Sequence, residues 1–315
     1  MTNDNSNSWQ WNKERLARDP MAPRVQDLPI ALVSFAVCSL SRLLATPLFA
    51  ALGRRVLSKE RYGRQHECRV QRFAGQCWKL LFHGTATVVP LVLLREQRWW
   101  PAGFAADPAA AFEHYPDVPR VPHLREFYMF ELGYYLHAFV ATLKQQHRPN
   151  YVEMTVHHVI TIDLVVYSYF VNNVLRYGTL VFWVHDVCDV PVCLTRLLLD
   201  FNCIVPTALA YFALMSLWVF YRLYVYTFVL VPQIIVRGPQ LGWFRIDNFP
   251  GWAPISVLLC GLVVMHLIWF KELLGMAGTY FQTGCCKDST DENKEDMAKL
   301  QKRSVKAKAS PAKTD

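Results

Sequence analysis

Two adjacent histidines, His157 and His158, open a stretch otherwise apolar enough to cross a membrane, and the same stretch closes on His185, Asp186 and Asp189. A neutral imidazole accepts a proton or attacks an electrophilic carbonyl, and a carboxylate beside it fixes its tautomer and stabilises its cation. Spacing turns these residue types into a pattern. His157, Thr161, Ser168, Asn172 and Arg176 follow one another at intervals of four, seven, four and four, which on a helix of about 3.6 residues per turn is one narrow face. His158 lies about 100° round from His157 and still borders Thr161. His185 and Asp189 are four apart, and Asp186 and Asp189 three, so a second helix brings all three together. Two carboxylates within one turn of an apolar helix are costly unless a cation or a proton meets them. His157, His158, Arg176 and Arg222 are the candidates for that role.

Three chemistries compete for this cluster. A metal centre could use paired histidines with His-Asp-Asp, yet membrane di-iron enzymes rely on several HxxHH boxes, and none occurs here; no metal is expected. A proton or ion pathway uses Asp and His, but no internal repeat supports it. Acid/base or nucleophilic group transfer needs what is present, a histidine, a second histidine and a carboxylate, and is the preferred reading. His83, His137, His266 and Arg42 each stand alone on an apolar run, and packing or snorkelling roles are expected of them. Asp163 lies off the stripe and is expected only to pair with another helix.

The elements that position these groups must be membrane helices. Of 315 residues, 53% are hydrophobic and 18% charged, against about 25% charged in ordinary soluble domains. Seven apolar runs stand out, at 28–52, 73–94, 126–143, 155–175, 178–199, 204–232 and 252–274, each near the ~20 residues that span the hydrocarbon core. The expected fold is all-α, a polytopic membrane bundle of about seven transmembrane helices around a central cavity. Its expected divisions are a polar segment 1–27, a first span with a basic cytosolic loop 28–69, a membrane domain 70–281 and a charged disordered tail 282–315.

Charge sets the direction. Residues 53–79 hold eight Lys/Arg against two Glu, residues 95–126 hold four against five acids, and the tail is basic again. Positive charge marks the cytosolic side, which places the N-terminus lumenal and the C-terminus cytosolic. The net charge of +8 is thus accounted for by topology, and no nucleic acid is expected. Nine cysteines, mostly in apolar runs and without a CxxC pair, form neither a disulfide framework nor a zinc site.

At these residues the sequence resembles the ceramide synthases (sphingosine N-acyltransferases) of the longevity-assurance family, built on the TRAM–LAG1–CLN8 (TLC) membrane domain. That family's signature reads HHxxT, then S-Y-x-x-N-x-x-R-x-G, then HDxxDxxLExxK. His157, His158 and Thr161 match the first part. Ser168, Tyr169, Asn172 or Asn173, Arg176 and Gly178 match the second, and His185, Asp186 and Asp189 the third. Trp218 and Arg222 resemble a W-x-x-x-R-L element, and Trp78 and Lys79 the family's entry to the second span. Val192, Cys193 and Arg196 depart from the closing LExxK, Arg196 keeping the positive charge.

The resemblance implies transfer of a fatty acyl group from acyl-CoA, a co-substrate rather than a cofactor, to the amine of a sphingoid base in the endoplasmic reticulum membrane. It also implies a homo- or hetero-dimer. The expected catalytic residues are His157, His158, His185, Asp186 and Asp189. Thr161, Ser168, Asn172, Arg176, Trp218 and Arg222 are expected to bind substrate, with Arg176 and Arg222 either neutralising the aspartates or holding CoA phosphates. His157 is the expected base or acyl carrier, with His158 or His185 as partner and the aspartates fixing tautomers. The loop Arg237–Trp252 occupies the place that influences acyl-chain length in the family. The same membrane domain also occurs in translocon-associated and lipid-sensing proteins, so a non-enzymatic protein is the alternative.

Overall fold

The structure is a computed structural model, and it describes residues 24–100, 107–114, 119, 121–145, 149–171, 174–201, 203–237 and 252–283. Among them the regular structure is helical throughout, with no strand. Seven long helices follow in order: α1 (Leu28–Val56), α2 (His66–Leu93), α3 (Leu124–Leu143), α4 (Tyr151–Val166), α5 (Leu175–Phe201), α6 (Ile204–Leu217) and α7 (Trp252–Thr283). Two of them change winding rather than stop. After α4 the backbone widens into a π-helical turn, Tyr167–Val171, and α6 continues as a π-helix over Trp218–Leu230.

Local chemistry sets the boundaries. Pro29 sits in the first turn of α1, where its missing N–H costs nothing, and Arg54 and Arg55 stand at the negative end of the helix dipole. Ser58 caps the single turn Lys59–Tyr62 by accepting from the Arg61 N–H, and Asp107 caps the 3-10 turn Pro108–Phe112. Pro47, Pro90 and Pro191 lie inside α1, α2 and α5 without ending them. Membrane helices tolerate such prolines because neighbours re-satisfy the freed carbonyls.

Three stretches, Val25–Val56, Ile204–Val236 and Trp252–Gly278, are long and apolar enough to cross a membrane by length and composition. Their surfaces fit that: Leu32, Leu43, Leu48, Ile204, Phe212 and Val257 are all exposed, an arrangement that water penalises and lipid does not. Most of the buried ionisable groups sit on α2, α3, α4 and α5, with Arg222 on the π-helix and His266 on α7.

Packing runs in a closed order. α1 contacts α2 and α3, α3 contacts α4, α4 contacts α7, α7 meets the π-helix, and α5 joins α6 and the π-helix back to α2. One close approach fixes α5. At Gly178 a Cβ would overlap Tyr128, whose Cε2 and Cζ would lie 2.7 and 2.9 Å away, so only glycine lets α3 and α5 come this near. Asp27 ties the entry of α1 to two other elements, accepting from Tyr169 Oη at 2.6 Å and from Arg125 at 3.4 Å.

Candidate functional site

A cavity of about 610 Å³ is lined from α1 to α5, from the π-helix and from α7. On α4 it meets both members of the histidine doublet. The His157 and His158 rings stand 5.3 Å apart, and His157 packs edge-on to Trp269 of α7 at 5.0 Å. The Nδ1 atoms of both histidines are buried with no hydrogen-bond partner. His157 keeps part of its surface accessible, and the cavity is what it opens onto. Thr161 also lines the cavity, but its hydroxyl donates to the His157 carbonyl at 2.8 Å, a back-bond typical of threonine in a buried helix. Ser168 sits in the widened turn, donating to the Val165 carbonyl at 3.0 Å and bonded to the Tyr128 hydroxyl.

On α5, His185 is held at both nitrogens. Its Nδ1 lies 2.6 Å from the Val181 carbonyl, and its Nε2 lies 2.9 Å from Nε2 of His266 on α7. A carbonyl only accepts, so the His185 proton is on Nδ1 and its Nε2 lone pair accepts from His266. The His266 proton is therefore on Nε2, which leaves Nδ1 as the bare, buried nitrogen with no partner. Two contacts fix this pair of rings from opposite sides. Arg222 donates to the His185 carbonyl at 3.1 Å, and the Trp218 indole donates to the His266 carbonyl at 3.4 Å.

The two aspartates diverge, since residues three apart point about 60° away from each other. Asp189 accepts from Arg222 at 2.6 Å, and that guanidinium lies over the Trp218 ring at 4.2 Å. Asp186 turns toward α2 and accepts from His83 Nδ1 at 2.8 Å, while Tyr134 of α3 donates to His83 Nε2 at 3.0 Å. Asp186 Oδ2 and both oxygens of Glu131, buried on α3, have no partner.

Several expectations from the sequence therefore need correction. The aspartates do not bond to His157, His158 or His185; their partners are His83 and Arg222. Arg176 is not on the stripe, because α4 gives way to the π-turn and α5 restarts the helical phase at Leu175. Its guanidinium donates instead to the Pro119 carbonyl at 3.0 Å. Asn172, the loop positions 238–251, and the segments 1–23 and 284–315 lie outside the described residues.

Two lone histidines prove to be partners of the motif residues: His83 holds Asp186, and His266 holds His185. Nothing in their own surroundings signals this, since the partners are 103 and 81 positions away. His137 keeps the expected packing role, with Ser39 at 2.9 Å and Arg42 at 3.4 Å. Asp163 is exposed on α4, and nothing in the structure accounts for it. The cavity also meets Lys79 and Arg196, and two cations outside the family pattern, Arg42 and Arg72.

All of these groups on α2 to α7 fall within one recognisable unit. A family model described as the TLC domain matches residues 72–275, well over half of the chain. The chain belongs to the TLC-domain family. Within that family it is similar to "ASC1-like protein 3" of Oryza sativa, 25% identical over 236 residues that cover 74% of this chain and 80% of that one. It is also similar to "Ceramide synthase 4" of Bos taurus, 26% identical over 245 residues (76% and 58%). The "Sphingosine N-acyltransferase lag1" of Schizosaccharomyces pombe is 24% identical over 235 residues (71% and 57%). The chain thus spans somewhat more than half the length of the bovine and yeast relatives. The family match begins inside α2, so α1 adds to the TLC domain a helix that packs on both α2 and α3.

Proposed function

We propose that this TLC-domain protein is a sphingosine N-acyltransferase, joining the acyl group of a fatty acyl-CoA to the amine of a sphingoid base. One observation carries the reading: the His157–His158 doublet opens onto a cavity that also meets Arg72, Lys79 and Arg196. The relatives named ceramide synthase and sphingosine N-acyltransferase support it. A cavity with apolar walls suits a long acyl chain, and a cationic opening suits the phosphates of CoA. Arg72 and Lys79 belong to the basic segment 53–79, so the opening faces the cytosol and the N-terminus the endoplasmic reticulum lumen. In this reading all seven helices cross the membrane. Helices α2 to α5 carry most of the polar side chains of the site, and the π-helix and α7 add Arg222 and His266.

The reaction follows from the ring that is free. His185 has both nitrogens engaged, so it positions rather than reacts. His157 takes the proton of the sphingoid amine as the nitrogen attacks the thioester carbonyl, the C–N bond forms, the C–S bond breaks, and the proton passes to the departing CoA thiolate. In the covalent variant, the His157 imidazole first displaces CoA and hands the acyl group to the amine. The Asp189–Arg222 pair lies near His157, and its arginine together with burial keeps that ring neutral, the form that can accept a proton.

The test is expression in cells lacking their own ceramide synthase, with the unmodified chain beside His157→Ala/His158→Ala. Restored ceramide from the first and none from the second is expected. Equal restoration by both sinks the site assignment, and restoration by neither sinks the activity.

A further inference from the structure

We infer that His83, Asp186 and Asp189 form a binding site for one divalent transition cation of the zinc class, set in the wall of the cavity. One ring nitrogen of His83 and one carboxylate oxygen from each aspartate all lie within 4.8 Å of one another, and His83 Nδ1 is 2.8 Å from Asp186 Oδ1. Zinc holds imidazole nitrogen and carboxylate oxygen at about 2.0–2.2 Å, which in a tetrahedron sets ligand atoms roughly 3.4 Å apart. Side-chain shifts of about 1 Å therefore close this set around an ion. The donors come from α2 and α5, two helices that pack along one another, so the ion would join segments more than a hundred positions apart.

The surroundings of each donor suit this use. A metal on His83 Nδ1 requires the ring proton on Nε2, where the Tyr134 oxygen at 3.0 Å receives it; metal-bound histidines almost always donate their second nitrogen to such a partner. Asp189 gives Oδ1 to Arg222, and an ionised carboxylate has capacity for more than one such partner. Asp186 is 0% exposed and its Oδ2 has no partner.

Charge gives a second, separate reason. Glu131 is also 0% exposed, with neither oxygen bonded, and it is near enough to Asp186 for their charges to interact. Ionised, the three carboxylates would outnumber by two the one guanidinium bonded to any of them, that of Arg222, and Asp186 and Glu131 are both 0% exposed. Buried charge of that size is tolerated only when something positive meets it. One divalent cation cancels it. Protons on the carboxyl groups would cancel it equally, and the experiment distinguishes the two. An ion has a route in, because His83 and Asp189 both line the cavity. An imidazole with two carboxylates is a donor set for zinc, manganese or iron rather than for copper(I) or calcium. This site stands whether or not the cavity performs the proposed acyl transfer.

The full chain, purified in detergent through a tag without histidine, is incubated with zinc, desalted and analysed for metal by plasma mass spectrometry. About one zinc per chain is expected in the unmodified protein and in His157→Ala, and less than a tenth of that in Asp186→Asn and His83→Ala. Less than a tenth of an equivalent in the unmodified protein, or full occupancy in Asp186→Asn, overturns the site. Should those variants fail to elute as a single species, cobalt(II) loaded on the unmodified protein decides. Intense visible bands of a four-coordinate site support the proposal, and the weak spectrum of hydrated cobalt overturns it. Acyl transfer is measured separately, so loss of the metal site leaves the enzyme reading intact, and the reverse.

Discussion

Replacing Asp189 tests whether the Arg222 guanidinium is a buried charge in need of its partner. The side chain of Arg222 is 4% exposed and that of Asp189 is 29% exposed, so the two partners are not equally dependent on each other. Breaking a buried pair by removing one partner costs about 3–5 kcal/mol. In Asp189→Leu the guanidinium keeps the His185 carbonyl and the Trp218 ring but loses the carboxylate bonded to it, so about 3 kcal/mol is expected. In Arg222→Met the stranded carboxylate faces the cavity and recruits water, and the methionine still packs on Trp218; about 1–2 kcal/mol is expected. The double variant replaces the pair by apolar groups and should return to within about 1 kcal/mol of the parent. Thermal unfolding followed by tryptophan fluorescence, at fixed detergent concentration, reads these as falls of roughly 6–10 °C, 2–5 °C and at most about 2 °C. Arg222→Met costing as much as Asp189→Leu, or a double variant at the sum of the singles, would refute the reasoning.

Four further outcomes are expected. His157→Ala should lower acyl transfer by about 10²–10⁴-fold with the unfolding midpoint nearly unchanged, since a general base contributes about that much; a rate within threefold of the parent removes His157 from the chemistry. His266→Gln, which can still present an N–H to His185, should keep most of the activity, whereas His266→Leu should lose up to about tenfold, the value of one hydrogen bond of about 1.4 kcal/mol; equal loss in both would mean the ring matters only as packing. Gly178→Ala should destabilise by about 1–3 kcal/mol, the usual range for overpacking, and Gly178→Ala/Tyr128→Phe should recover part of it if the collision with the hydroxyl dominates. Glu67, at the start of α2, is held down to about 2 by hydrogen bonds from Arg54 and Gln71. A depressed carboxylate stabilises the fold above its ordinary value of 4.5 and loses that contribution as pH falls through about 2. The midpoint difference between the parent and Glu67→Gln should therefore hold steady from pH 5 to 8 and close between about pH 4.5 and 2.

Much of the site is legible in local spacing. Arg222 is one of the four cations that the sequence offers to the aspartates, and it is the one that Asp189 meets; His157, His158, Thr161 and Ser168 do meet one cavity. What failed was continuity of phase. The stripe was extrapolated through Tyr167–Val171, where the backbone winds more widely, and Arg176 consequently falls on another helix with another partner. His83 and His266 failed for a different reason. A single histidine in an apolar run looks the same whether it packs or bonds, and only the fold decides which carboxylate or imidazole it meets. The same holds for Glu131, whose neighbours in the chain, Phe130 and Leu132, say nothing of Asp186.

The wide winding of Trp218–Leu230 bears on how this segment tolerates a change of length. Its buried residues, Trp218, Arg222, Tyr226 and Leu230, recur every fourth position. In an ordinary α-helix that interval advances by about 40° each time, so the row would curl well over 100° in three steps. Looser coiling opposes the drift and keeps the guanidinium, the indole and the Tyr226 phenol, which bonds to the Leu259 carbonyl at 3.0 Å, turned to one side. Removing a residue between Leu223 and Val225 would let the coil tighten, yet it would swing Trp218 and Arg222 out of line with Tyr226. A shortened rod would still be greasy and still be helical, and it would aim its one positive charge at the bilayer.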